Sequence, residues 1–288
     1  AASSDGDMDA AGRLPMVTPK AITDAAKFQK TLLARLDALD TTELTGEAKL
    51  NAELLYYVLE QNLFSFTYDE ARLPFTNDSG FFNMLSYIAL QTRFETRTDF
   101  EKYAQRLSDL PRYFAEHQAN LQRGIETGYT ASADILPGII EMVQASAQTP
   151  IEEHPLFAPF LDIPKTIPDD ERMRLNALGL AAMRESVIPA YQDLLSFMRD
   201  EYAPNARAEA GIGTNPGNRA YYEGLVKHFT TLDLTPDEVH ELGLSEVARI
   251  RAEMDAVIAK TDFEGDFTAF LAFLRSDPQF YAKTPGEL

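Results

Sequence analysis

Apolar residues recur at helical spacing along most of the chain. Between residues 21 and 39 they stand close to three or four positions apart, as expected for a helix with one buried face. Further helices are predicted over residues 47–66, 132–147 and 170–202. Strand signals are almost absent, although residues 63–68 could be extended. The pattern predicts an all-α fold, an irregular multi-helix array with little or no β structure.

Caps and prolines place the ends of these helices. Thr98-Asp99-Phe100-Glu101 has the form of a capping box, and Pro111 is expected to begin a helix that ends at Gly124 or Gly128. Pro189 falls inside the predicted helix 170–202 and should bend it near Val187. Residues 67–80 form a long loop, and loops of that length are often functional.

Composition shifts along the chain suggest how it is organised. Residues 1–18 are small, polar and acidic and are predicted to be a flexible leader, followed by a single helical domain over 19–288. Five prolines over 149–170 indicate either a sub-boundary or a surface loop. Residues 284–288 repeat the Thr-Pro-x-Glu pattern that begins a helix at Thr235, so the chain is expected to be truncated at its C-terminal end.

Charge and cysteine content exclude several classes of function. The 288 residues carry a formal net charge of −19, which repels nucleic acid, and they contain no transmembrane run. Cysteine is absent, which excludes disulfides, thiolate metal sites and a cysteine nucleophile.

A His-Glu pair at His240 and Glu241 suggests half of the H-E-x-x-H zinc motif. The second histidine would stand at position 244, which is Leu244. The pair follows a capping box that begins at Thr235, so helix packing explains it better than metal binding does. A two-histidine site with His228 would still lack a third ligand. No metal ligand and no catalytic residue is predicted in this chain.

The loop and helix over residues 211–231 are the most suggestive part of the chain chemically. A loop rich in Gly, Asn and Pro that leads into a helix N-terminus is suited to holding an anion. Tyr221, Tyr222, Asn215 and Arg219 are therefore predicted substrate contacts. The alternative is that the glycines serve a turn and that the tyrosines pack into the core.

Four separated blocks resemble the bacterial domain of unknown function 885 family. They are RTDFEKYAQRLSDLPRYFAEHQANLQRGIETGYT, VIPAYQDLLSFMRDEYAPNAR, NPGNRAYYEGLVKHFTTLDLTPDEVHELGLSEVARIRAEM and SDPQFYAKTPGEL. The resemblance implies similarity to zinc-dependent, gluzincin-like peptidases of about twice this length, which often carry secretory or lipoprotein signals. The zinc motif of that family, a His-Glu segment running into Pro-Gly-His-His, lies in the C-terminal half and is not found here.

From the resemblance we expect the N-terminal helical region of a secreted zinc-dependent peptidase-like hydrolase. It would form part of the substrate cleft, whereas the catalytic zinc motif would lie outside this chain, which alone would be inactive. The expected partners are a peptide or small-molecule substrate and the missing C-terminal half. The expected location is the periplasm or the outer surface, with a lipid anchor before Ala1. The alternatives are a non-catalytic helical protein-binding module and a family member that has lost its metal.

Overall fold

Helices make up the fold, as the apolar spacing predicts. The computed structural model describes residues 8–40 and 43–286, and within them β pairing is confined to two isolated bridges, Phe75 with Gly80 and Ser132 with Arg207. The helices are α1 (Met8–Ala11), α2 (Pro19–Asp37), α3 (Gly46–Tyr68), α4 (Met84–Gln91), α5 (Arg97–Ser108), α6 (Leu110–Thr127), α7 (Leu136–Gln148), α8 (Ala158–Leu161), α9 (Asp169–Ala182), α10 (Ile188–Phe197), α11 (Asn218–Thr230), α12 (Pro236–Ile258) and α13 (Phe267–Ser276).

The chain folds into two compact units, Ala1–Tyr221 and Tyr222–Leu288. The division falls within α11, and the proline-rich stretch 149–170 lies inside the first unit. Within the described residues, no helix is both long enough and apolar enough to cross a membrane.

The core of the first unit is built around α6. Tyr113, Phe114 and Leu121 point from this helix into a buried cluster that α5, α7, α9 and α10 complete. Phe114 meets Tyr191 of α10 edge to face, with ring centroids 5.1 Å apart. Such aromatic pairs add to the free energy gained from burying apolar area.

Polar side chains of α6, together with Asp109 immediately before it, hold the segment that precedes α2. The backbone N–H of Leu14 donates to Asp109 at 2.8 Å, and that of Val17 donates to Glu116 at 2.7 Å. The side-chain amide of Asn120 donates to the Val17 carbonyl at 2.7 Å, and the Leu14 side chain is buried. Residues 14–17, at the end of the predicted leader 1–18, are thus held by side chains about 100 positions away in the chain.

Two local predictions were wrong. The capping box before α5 is formed by Thr96 and Asp99, not by the Thr98 to Glu101 segment, because the Asp99 carboxylate accepts the Thr96 N–H at 2.7 Å. Residues 63–68 are helical rather than extended, since they form the last part of α3.

Pro189 interrupts the helical stretch that runs from α9 to α10. A π-helical turn occupies Met183–Val187, immediately before α10. Proline has no N–H, so it cannot pair with the carbonyl four residues earlier, and a π turn is one way to accommodate that loss. A second π turn, Met198–Tyr202, follows α10.

The second unit contains α12 and α13. The predicted capping box of α12 is confirmed: Thr235 Oγ1 accepts the Glu238 N–H, and Glu238 accepts the Thr235 N–H at 2.8 Å. Phe263, Phe270, Phe273 and Phe280 form an aromatic cluster. The predicted helix start over residues 284–288 includes Glu287 and Leu288, which lie outside the described residues.

His117 is a polar residue placed inside the core of the first unit. Its ring stacks on Phe81 with centroids 4.1 Å apart and meets the edge of Tyr113 at 4.5 Å. Neither ring nitrogen has a hydrogen-bond partner within the described part of the protein. Burial lowers the pKa of His117 to about 4, because the charged imidazolium would lose its solvation.

We expect this histidine to make the first unit sensitive to mild acid. The unfolded chain binds the proton with a pKa of about 6.5, so His117 favours unfolding increasingly as the pH falls from 6.5 to 4. The free energy of unfolding should fall by about 2 kcal/mol between pH 7 and pH 5 from this residue alone. His117→Phe should remove that part of the pH dependence, as measured by urea unfolding at both pH values. His240→Phe, at an exposed histidine, is the control, and an equal slope in His117→Phe and the parent would contradict the assignment.

Candidate functional site

The loop that leads into α11 is held by one arginine. The Arg207 guanidinium donates to the carbonyl of Thr130 at 2.9 Å, to that of Glu209 at 2.6 Å and to the Thr214 hydroxyl at 2.9 Å. It also donates to the Gly211 carbonyl. Several backbone carbonyls of the loop thus accept hydrogen bonds from the Arg207 guanidinium.

Asn215, a predicted substrate contact, is buried in this loop. Its side-chain oxygen accepts the Thr130 N–H, and its amide nitrogen donates to the Thr130 carbonyl, both at 3.3 Å. The side chain therefore pairs with Thr130 as a neighbouring strand would. Gly217, which follows, has a φ of 76°, a conformation that favours glycine and lets the loop turn into α11.

Tyr221, the second predicted contact, is also buried. Its hydroxyl donates to Glu70 Oε1 at 3.0 Å, and its ring stacks on Phe64 with centroids 5.5 Å apart. Glu70 Oε2 accepts the Ser65 hydroxyl at 2.6 Å. Burial, together with the Glu70 carboxylate, raises the pKa of Tyr221 above its ordinary value. The phenol therefore stays protonated at neutral pH and acts as a hydrogen-bond donor rather than a base.

Tyr129 lies beside this pair and is held by polar groups. The Arg72 guanidinium carbon stands 4.1 Å from the ring centroid, a cation–π contact. Burial raises the pKa of Tyr129, and a hydrogen bond with Asn218 opposes that rise. A side chain on Gly124 would meet the Arg72 carbonyl at 2.9 Å and the Tyr129 carbonyl at 2.7 Å, so only glycine fits there.

We call Glu70, Tyr129, Asn218 and Tyr221 the Glu70 cluster. Its members connect the end of α3 to the start of α11. The two carboxylate oxygens of Glu70 accept one hydroxyl each, from Ser65 of α3 and from Tyr221 of α11. The cluster thus positions the start of α11, which belongs to the first unit. Glu70 and Arg207 were not among the predicted site residues, and the only sequence signal for Glu70 is its place in the predicted loop 67–80.

The other two predicted contacts have exposed side chains. Tyr222 is 42% exposed and belongs to the second unit, whereas Arg219 is exposed on the part of α11 that belongs to the first. Adjacent residues on a helix point about 100° apart, which explains why Tyr221 is buried and Tyr222 is not. Of the four predicted contacts, these two present side chains that a ligand can reach.

The four histidines are divided between the units. His117 and His154 are buried in the first, whereas His228 and the exposed His240 lie in the second. Glu241 is exposed as well. Over the described ranges 8–40 and 43–286, no group of three or more His, Asp or Glu residues could hold a metal ion.

An open cavity of about 280 Å³ lies elsewhere in the first unit. Asp69 and Arg123 line it, and their side chains contact each other. Asp69 adopts a left-handed conformation, with a φ of 51°, at the end of α3. Neither residue is predicted from the sequence, because the pair is 54 positions apart in the chain.

Comparison with known proteins identifies relatives of this fold. The family described as "Bacterial protein of unknown function (DUF885)" matches residues 1–287. A crystal structure of "the putative lipoprotein from Colwellia psychrerythraea" superposes with a TM-score of 0.83 at 17% sequence identity. The match covers 96% of this chain and 50% of that one, so the chain spans about half the length of that protein. Comparison with curated proteins gives no match.

The two adjacent tyrosines provide a matched test of the Glu70 cluster. Tyr221→Phe should lower the free energy of unfolding of the first unit by about 1–3 kcal/mol, because a hydrogen bond to a carboxylate is lost. Tyr222→Phe should change it by less than about 0.5 kcal/mol, since an exposed hydroxyl is removed. Urea unfolding followed by circular dichroism measures both. Equal effects of the two substitutions would show that Tyr221 does not hold α11 through Glu70.

Proposed function

Because the chain belongs to the bacterial family of unknown function DUF885, we propose that it is the N-terminal helical region of a secreted zinc-dependent peptidase-like hydrolase. Two considerations support the proposal. The sequence blocks resemble family members that are similar to zinc peptidases. The observation that carries it is that the chain matches one half of a longer protein with the same fold. A polypeptide of that length has room for a zinc motif outside these 288 residues.

In such an enzyme the roles of the four predicted substrate contacts would follow from whether each side chain is exposed or buried. Bound zinc would supply a water that a carboxylate activates for attack on a peptide carbonyl, with all ligands outside this chain. Among the exposed side chains, the Arg219 guanidinium is suited to pairing with an acidic group and the Tyr222 hydroxyl to donating a hydrogen bond. Asn215 and Tyr221 would act at a distance, by keeping the loop and α11 in place.

A periplasmic or outer-surface location is part of the proposal. The Colwellia protein is described as a lipoprotein, and the resembled family often carries secretory or lipoprotein signals. A lipid anchor would precede Ala1. The acidic net charge of −19 would discourage binding to anionic lipid surfaces, so attachment through a lipid suits this chain better than attachment through basic residues.

A non-catalytic helical binding module is the second candidate. The observation that favours it is the number of exposed apolar side chains, above all on α3 and α12. Exposed apolar patches of this kind often mark protein interaction sites. Zinc content and peptide hydrolysis distinguish the hydrolase from the binding module, because a binding module needs neither.

We expect the product of the complete natural gene to bind one zinc ion per chain and to hydrolyse peptides, whereas the 288-residue chain does neither. Elemental analysis after metal reconstitution, together with a peptide cleavage assay, measures both. His240→Ala should leave the zinc content of the complete protein unchanged. One zinc ion per 288-residue chain that is lost in His240→Ala would contradict the proposal.

Tyr222→Phe in the complete protein should lower kcat/KM about tenfold, the effect of losing one hydrogen bond to substrate of about 1.4 kcal/mol. Its Tm should stay unchanged, because the hydroxyl is exposed. Phe229→Leu, at another exposed position of α11, is the control and should leave kcat/KM unaltered. Normal kcat/KM in Tyr222→Phe would remove this residue from the substrate site.

A further inference from the structure

Helix α12 is long, and none of its residues is buried within the described chain. Four apolar side chains stand along one side of it: Val247 is 68% exposed, Ile250 44%, Met254 44% and Val257 57%. We call these four residues the α12 stripe. A helix that forms such an apolar stripe gains stability by covering it with another element.

The spacing within the stripe indicates what kind of element would cover it. The residues are separated by three, four and three positions, the a and d pattern with which helices pack side by side. His240 and Gly243 continue the same spacing towards the helix start. The stripe covers about 15 Å of helix at 1.5 Å per residue. Its geometry fits one helix of two to three turns.

Charged residues of α12 on either side of the stripe form salt bridges with each other. Arg249 pairs with Glu246 and Glu253, each at 2.7 Å, and Arg251 pairs with Asp255 at 3.1 Å. The Arg251 guanidinium also lies 4.0 Å from the centre of the Phe267 ring. An apolar centre with a polar rim is the usual anatomy of a protein interface.

We propose that the α12 stripe is the docking face for a helix of the polypeptide that completes a protein of the length of the Colwellia lipoprotein. That protein has the same fold over half of its chain, so about as much polypeptide again lies outside the matched region. The proposal rests on one part of the proposed function, that this chain is one half of a longer protein. It does not depend on zinc or on hydrolysis.

A second copy of the chain fits the stripe less well. Two chains would pair through only two heptads of apolar residues, whereas stable coiled coils between separate chains need three or four. Gly243 would also leave the next d position of such a pair empty. A helix of the same polypeptide is held at high effective concentration, so a short stripe suffices for it.

The test compares two substitutions in two lengths of protein. Ile250→Glu places a charge on the stripe, and Ala252→Glu places the same charge on the opposite side of α12. In the complete natural gene product, Ile250→Glu should lower the Tm by about 5 °C or more and should speed amide hydrogen exchange in α12 at least tenfold. Ala252→Glu should change neither. In the 288-residue chain, both substitutions should leave the Tm within about 1 °C of the parent.

Three results would overturn the proposal. The first is a Tm in the complete protein that Ile250→Glu and Ala252→Glu lower equally. The second is a 288-residue chain that is dimeric by light scattering and becomes monomeric with Ile250→Glu, which would assign the stripe to a second copy. The third is a natural gene that encodes nothing beyond Leu288. A complete protein that lacks zinc but passes the Tm test would contradict the proposed function alone.

Discussion

The first unit depends on α6, which packs into the apolar core and also hydrogen-bonds the backbone of the segment before α2. Its apolar side packs into the core through residues such as Phe114. Arg112 and Asn120 of α6, with Asp109 immediately before it, hydrogen-bond the backbone of the segment before α2. Because side-chain donors and acceptors pair with that backbone, its polar groups stay satisfied while Leu14 is buried.

The same helix also determines where α3 and α11 meet. Near its C-terminal end, Arg123 contacts Asp69, the residue that ends α3. One residue further, Gly124 allows the close approach of the Arg72 and Tyr129 carbonyls. Arg72 lies against Tyr129, a member of the Glu70 cluster. The position of the start of α11 therefore follows from contacts that begin on α6.

Features that depend on residues close together in the sequence could be predicted from the sequence. The all-α fold and the Thr235 capping box were predicted correctly, because apolar spacing and caps act within one or two turns. The capping box of α5 was placed two residues late, since Thr96 and Thr98 each have an acidic residue three positions on. Only the hydrogen bonds of the folded chain distinguish the two.

Interactions between residues far apart in the sequence could not be predicted from the sequence. Residues 14–17 fall in the predicted leader 1–18 because nothing in its composition reveals partners almost 100 residues away. Asn215 is a predicted substrate contact because polar residues in glycine-rich loops often bind ligands, and that local signal does not reveal its pairing with Thr130, 85 residues earlier. The same reasoning identified Tyr221 and Tyr222 together, and helix geometry separated them.

The two units differ in how far they bury their apolar side chains, and this difference bears on function. The first unit encloses a large aromatic core, whereas the described residues of α12 and α13 in the second include none that is fully buried. An aromatic cluster and paired surface charges give the second unit some internal contacts. The exposed, evenly spaced stripe on α12 is the basis for the proposed docking of a further helix, whichever chemistry the complete protein carries out.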